Sequence, residues 1–313
     1  MDNVLLNIGS AALRKAALNT AAKDFILSNP TLFKTLKKAA DRYIGGETLV
    51  ETLGKVKTHN ANKVKCSIEF MGENTATSKE ANEATEEFIT ICQQIRAQGL
   101  WSTVSLDLSH IGLIISKELC IENLDRICKE AAKADTEIII SAEGTEWTDA
   151  IIDVYMQTRK KHSNLSITMQ AYLHRSKDDF KELIKEKGRI RIVKGAYVTP
   201  AGLSLARGEE LDKVYLDYAE QLLSKEHYCS IATHDEKIQQ EAKNIIQKYK
   251  PSKDTYEFES LFGIQNDKLA RLHNEGYPTK VYFVYGKEWY LYVCNRIAEY
   301  PLNIFHALQD IVE

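Results

Sequence analysis

The fold class that this sequence predicts is α/β, a (β/α)8 TIM-type barrel preceded by helices. Three observations carry that reading. Eight short apolar runs follow one another from residue 64 onward. Longer segments with apolar residues at helical spacing separate them. The alternation fills about 250 residues, the typical length of such a barrel. Strands alternating with helices make βαβ units and hence a parallel sheet. A doubly wound open sheet is the other arrangement of these units. It usually carries a Gly-rich phosphate turn after its first strand, whereas here the first run leads into FMGENTATS.

Taken in order, the elements begin with helices. The opening MDNVLLNIGSAALRKAALN lacks the basic-then-apolar order of a secretory signal and reads as a short amphipathic helix. The stretch LRKAALNTAAKDFILSNPTLFKTLKKAADRYI reads as two or three helices, with a break at Asn29-Pro30. The strands follow: VKCSIEFM (64–71), STVSLDL (102–108), TEIIIS (136–141), LSITMQAY (165–172), RIRIVKG (189–195), YCSIAT (228–233), YEFESL (256–261) and TKVYFV (279–284). Segments such as SKEANEATEEFITICQQIRAQ and LDKVYLDYAEQLLSKE supply the helices between them. With five prolines and no low-complexity linker, the expected organisation is a helical segment over 1–62 and a barrel over 63–313.

Composition excludes several function classes. A net charge of −3 gives no basic surface for nucleic acid. No run of 18 apolar residues exists, so no spanning helix is expected. The six cysteines (66, 92, 120, 128, 229, 294) never form a CxxC pair, and the histidines show no HExxH pattern. They read as reduced core thiols of a cytoplasmic protein without a metal.

Barrel chemistry sits at the C-terminal strand ends. Those ends carry Glu69 and Glu73; Asp107, Ser109 and His110; Ser141 and Glu143; Gln170 and Tyr172; Arg191, Lys194, Gly195 and Tyr197; Thr233, His234 and Asp235; Glu257 and Glu259; and Tyr282 and Tyr285. Any barrel ends its strands in polar loop residues, so a rim position alone assigns no role. Arg191 and Lys194 stand out because a cation facing a barrel interior needs an anionic partner, either an acid or a bound phosphate.

Several stretches in order resemble the proline dehydrogenase family, the short monofunctional bacterial type. They are YIGGET (43–48), MGEN (71–74), QAYL (170–173), RIVKGAY (191–197), ATH (232–234), YEF (256–258) and VYFVYGKEWYLYVCNRIAEYP (281–301). The resemblance covers residues 40–313. It implies a distorted barrel holding FAD non-covalently at the strand ends, with a final helix closing the pocket. It also implies hydride transfer from the carbon beside the ring nitrogen of proline to flavin N5, giving a cyclic imine. Quinone is the implied electron acceptor, which allows at most peripheral contact with the inner membrane face. Carried over by motif, Ile140, Gln170, Arg191, Lys194, Gly195, Ala196, Thr233 and His234 contact FAD. Arg191 and Tyr282 are the implied catalytic residues. Tyr292, Asn295, Arg296 and Glu299, with Asp107 and Ser141, fall at the substrate end.

That end departs from the family pattern. The strand-two lysine is Asp107, the strand-three acid is Ser141, and the first arginine of the Arg-Arg-x-x-Glu clamp is Asn295. The strand-eight proline is Val284. A charge-assisted hydrogen bond contributes about 1.5–3 kcal/mol. Losing the Lys and one Arg therefore weakens carboxylate binding by about 3–6 kcal/mol, on the order of 10²- to 10⁴-fold. The reading is a retained flavin with an altered substrate: a proline-like cyclic amine whose carboxylate is masked, removed or carrier-tethered. Ordinary L-proline oxidation through a rearranged site, with His110 as a replacement cation, is one alternative. A non-catalytic FAD-binding homologue is another.

Overall fold

Residues of alternating character make short parallel strands, and eight of them close on themselves. The computed structural model describes residues 8, 11–13, 15, 19–72, 74–197, 199–299, 305, 306, 309 and 310. Most of the N-terminal amphipathic segment and Glu73 lie outside the described residues, as do the side chains of Ala22, Leu27 and Glu299. The strands are β1 (Lys65–Phe70), β2 (Ser102–Leu106), β3 (Ile138–Ile140), β4 (Leu165–Gln170), β5 (Ile190–Val193), β6 (Cys229–Ala232), β7 (Tyr256–Leu261) and β8 (Thr279–Tyr285). They form a closed barrel in the order β1 to β8. The strand pairings among the described residues are parallel, for example Val104 with Ile138 and Arg191 with Ser230. The (β/α)8 expectation holds.

Helices α1 (Thr20–Ser28), α2 (Pro30–Asp41) and α3 (Leu49–Ala61) precede β1. Between the strands run α4 (Ser78–Gln98), α5 (Lys117–Ala132), α6 (Thr148–Arg159), α7 (Ser176–Leu183), α8 (Glu209–Ser224), α9 (Glu236–Tyr249) and α10 (Asn266–Asn274), and α11 (Trp289–Glu299) follows β8. Local chemistry sets their ends. Thr77 and Glu80 form a reciprocal capping box at the start of α4. Its buried face then repeats at helical spacing through Ala81, Ala84, Phe88, Ile91, Cys92 and Ile95. All six cysteines are free and buried. Burial pushes the Cys66, Cys92 and Cys229 thiols up to about 12, so they are inert core groups rather than nucleophiles.

The chain divides into two compact units. One comprises residues 56–260 and 265–282, and the other residues 1–55, 261–264 and 283–313. Within the second, YIGGET runs alongside the end of β8. The Gly45 amide donates to the Val284 carbonyl at 2.7 Å, and Gly46 bridges Tyr285 in parallel. Tyr43 and Ile44 are fully buried. Gly263 is required there: its φ is +81°, and a Cβ would lie 1.8 Å from the Arg42 carbonyl oxygen. Lys55 donates to the Ile44 carbonyl at 2.9 Å and sits 4.9 Å from the Phe262 ring centre. Among the described residues, no helix is long and apolar enough to cross a membrane.

Candidate active site

Polar residues at alternate strand positions face the barrel axis, because successive side chains point to opposite faces. Arg191, only 3% exposed, lies among them. Its Nε donates to Glu259 Oε2 at 3.0 Å, and Nη2 lies 2.8 Å from Glu259 Oε1. Nη2 also donates to Ser105 Oγ at 2.8 Å and Nη1 to Thr168 Oγ1 at 3.3 Å. Ser105 is in turn 2.8 Å from Ser67 Oγ. The Tyr282 ring centre is 4.8 Å from the guanidinium carbon. Arg191 is thus fixed by groups from β7, β2, β4 and β8, and the anionic partner its burial demands is Glu259.

A second cluster joins β1, the residue after β3 and the middle of β8. The Tyr282 hydroxyl donates to the Glu69 carboxylate. Ser141 Oγ donates to the same oxygen at 2.9 Å and lies 3.2 Å from the Tyr282 hydroxyl. Asp107, one residue beyond β2, is buried. Glu143 acts as a clasp between loops, accepting from the amides of Leu108 at 2.8 Å and Ser109 at 3.2 Å. Gln170 Nε2 donates to the Glu143 carbonyl at 3.0 Å. Reversing that amide would set oxygen against oxygen, so the orientation is determined. Gln170 Oε1 is left buried without a protein partner, an acceptor awaiting a donor.

The RIVKGAY segment leaves the sheet after Val193. Lys194 Nζ lies 2.5 Å from Asp212 and 2.7 Å from Asp235. Burial alone would raise the Asp235 carboxyl, but the Lys194 hydrogen bond and charge together with the Ile238 and Lys237 amides outweigh it and hold the group below its ordinary range. Gly195 has φ +110°, and a Cβ there would lie 2.3 Å from the Tyr172 ring. Its carbonyl accepts from Arg207, while Ala196 and Tyr197 are exposed. Thr233 Oγ1 accepts from the Asp235 amide at 3.1 Å, and the His234 carbonyl accepts from Lys268 at 3.5 Å.

Three sequence assignments change. Glu257, read as a rim residue, is the second residue of β7 and lies at the opposite end of that strand, paired with Lys280 at 2.5 Å. His110 is no replacement cation. It stacks on Phe70 at 5.2 Å and meets Phe88 edge-on at 5.7 Å. Burial pushes its imidazole down to about 4, so it is neutral near pH 7. Ile140 is fully buried, and the alternation that turns Ser141 inward turns Ile140 away from the axis. On α11, the Arg296 guanidinium lies 5.3 Å from the Tyr292 ring centre, and Asn295 is half-buried beside it. Glu299 is the last residue of that helix.

The residues to which no sequence motif assigns a role are Glu259, Ser67, Ser105 and Thr168. Their signal was present as polar residues at alternate positions of otherwise apolar strands. An orphaned buried acceptor, Gln170 Oε1, fits a planar cofactor carrying hydrogen-bond donors, as the implied flavin does.

Comparison with known proteins agrees over most of the chain. The family model described as Proline dehydrogenase matches residues 52–292. "Proline dehydrogenase 1" of Bacillus subtilis subsp. natto is 31% identical over 294 residues, covering 92% of this chain and 97% of the relative. "Proline dehydrogenase" of Deinococcus radiodurans is 27% identical over 305 residues, covering 96% and 98%. The solved structure of proline utilization A from Bdellovibrio bacteriovorus, inactivated by N-propargylglycine, superposes with a TM-score of 0.82 at 18% identity. That likeness concerns the fold, over 94% of this chain and 36% of the longer protein.

Proposed function

The chain belongs to the proline dehydrogenase family, and from that premise we propose that it transfers hydride from the ring carbon beside the nitrogen of a proline-like cyclic amine to N5 of a bound FAD. The residues that would hold the cofactor are Gln170, Lys194, Gly195, Ala196, Thr233 and His234, carried over by motif. Gln170 offers an unused acceptor. At Gly195 the Tyr172 ring fills the space a Cβ would need, so only glycine lets the segment turn there. Arg191 supplies a fixed positive charge whose rotamer Glu259, Ser105 and Thr168 hold before any ligand arrives. No strong base is needed, because a neutral ring amine contributes its own lone pair to the new C=N bond. Tyr282 shapes the substrate side, held by Glu69 and Ser141. Glu69 thereby gives Tyr282 a carboxylate partner, and Ser141 donates to the same oxygen. The physiological acceptor for the electrons is a quinone, reached by peripheral contact at the inner face of the membrane.

The substrate reading rests on one observation. Asp107 stands buried where the family has a cation, and the neighbouring His110 is neutral. A free carboxylate meets less positive charge here than in the family pattern, which supports an amide, an ester, a carrier-tethered prolyl group or a decarboxylated ring as donor. Plain L-proline is the second reading, favoured by Arg296 and by the 31% identical relative named a proline dehydrogenase. Anaerobic bleaching of the flavin decides between them. Prolinamide, proline methyl ester or pyrrolidine should bleach faster than L-proline at equal concentration. Bleaching by L-proline at low concentration, with the others inert, would overturn the masked-carboxylate reading.

A further inference from the structure

Below the rim, charges of alternating sign run through the barrel interior. Glu137 meets Arg189 at 3.1 Å, and Arg189 meets Glu257 at 3.5 Å. Lys280 contacts Glu257 at 2.5 Å and Glu259 at 3.2 Å, and Glu259 contacts Arg191 at 2.8 Å. Lys65 adds a third cation 3.5 Å from Glu257. Lys280 has no exposed surface, and Glu259 is 2% exposed. Burial alone pushes the Lys280 ammonium down and would raise the Glu257 carboxyl. The Arg189, Lys280 and Lys65 charges outweigh that at Glu257 and hold it well below its usual range. Each desolvated ion costs several kcal/mol, so such a ladder is a poor device for stability alone. Its upper end is Arg191, with the Tyr282 ring beside it.

We propose that Glu259 and Lys280 are positioning residues that set the electron affinity of the bound flavin through Arg191. This rests on the reading that Arg191 faces that cofactor. Glu259 orients the guanidinium with two contacts and offsets its charge, and Lys280, on the same carboxylate, moderates the offset. Reduction adds negative charge to the flavin, so a more positive interior favours the reduced form. Neutralising Glu259 therefore raises the potential, and neutralising Lys280 lowers it.

The test is the midpoint potential of flavin-loaded protein, equilibrated against a redox dye. Glu259→Gln should shift the two-electron equilibrium about tenfold toward reduction, about 30 mV upward. Glu259→Asp keeps the charge and should stay near the parent value. Lys280→Met should shift the equilibrium the other way; if it does not fold, the Glu259 pair still decides. A purely structural role would lower the melting temperature and leave the potential in place, or move all variants in one direction. Either outcome overturns the inference while the flavin reading stands. A parent protein that is colourless and takes up no FAD overturns both.

Discussion

At the scale of single residues, burial decides which groups carry charge. His110 sits in an aromatic slot with its imidazole pushed down to about 4, against an ordinary value of 6.5. Between those values the unfolded chain binds a proton that the folded chain refuses, so acidification favours unfolding. The contribution is absent above pH 6.5 and grows to about 3 kcal/mol of lost stability by pH 4. His110→Leu removes it. The stability advantage of the parent over this variant, read from urea midpoints, should fall by about 2 kcal/mol from pH 7 to pH 5. A pH-independent difference would mean that the histidine is protonated in its slot. Arg191 is the opposite case, a buried cation paired with the Glu259 carboxylate. Arg191→Ala strands Glu259 beside Lys280 and should cost about 3–5 kcal/mol in chemical denaturation. It should also abolish substrate bleaching of flavin that remains bound; undiminished bleaching would remove Arg191 from the reaction. Asp107 and Asn295 were legible in the sequence because intact motifs flank them. The Arg191–Glu259 contact was not, since it joins residues 68 apart through strand register.

At the scale of elements, the eight strands were legible to within a few residues, and the misreadings occur where backbone leaves the ladder. RIRIVKG reads as a strand to its end. Yet β5 stops at Val193, because Lys194 turns to Asp212 and Asp235 and Gly195 takes a positive φ. Glu257 was misplaced because a polar residue in a strand looks like an end, whereas β7 continues four residues past it. The start of α9 shows how one side chain serves an element and a site together. Asp235 Oδ1 accepts from the Lys237 and Ile238 amides, while Oδ2 holds Lys194 at 2.7 Å. Asparagine caps a helix about as well as aspartate, and alanine costs about 1 kcal/mol. Asp235→Asn should therefore melt near the parent and Asp235→Ala lower. Both free Lys194 from one competing carboxylate, so FAD titration should show tighter binding in the Asn variant. Equal melting of the two variants would discard the capping role; unchanged FAD affinity would discard Lys194 as a phosphate contact.

At the scale of the whole molecule, strand count and spacing made the barrel legible, because each βαβ unit leaves its period in the sequence. The compact unit formed by 1–55, 261–264 and 283–313 left no such trace. Its segments join through backbone pairing such as that of Gly46 with Tyr285, which no local pattern announces. Substrate choice has the same distributed character. The positions that the resemblance assigns to the carboxylate end, 107, 141 and 295, lie on three distant segments, while the motifs assigned to the cofactor stand nearly intact. Flavin binding and substrate selection should then separate experimentally. The combined reversal Asp107→Lys, Ser141→Asp and Asn295→Arg returns two cations and an acid to the family pattern. With about 1.5–3 kcal/mol for each restored charge-assisted bond, KM for L-proline should fall on the order of 10²- to 10⁴-fold. FAD content should stay constant. The single substitutions should together recover less than the triple, because position 107 is buried and a lysine there gains most once a carboxylate arrives beside it. Steady-state kinetics across the series read this directly. If KM for proline is unmoved in the triple variant while the flavin stays bound, specificity is set elsewhere in the chain, and the departures at these positions are not what distinguishes its substrate.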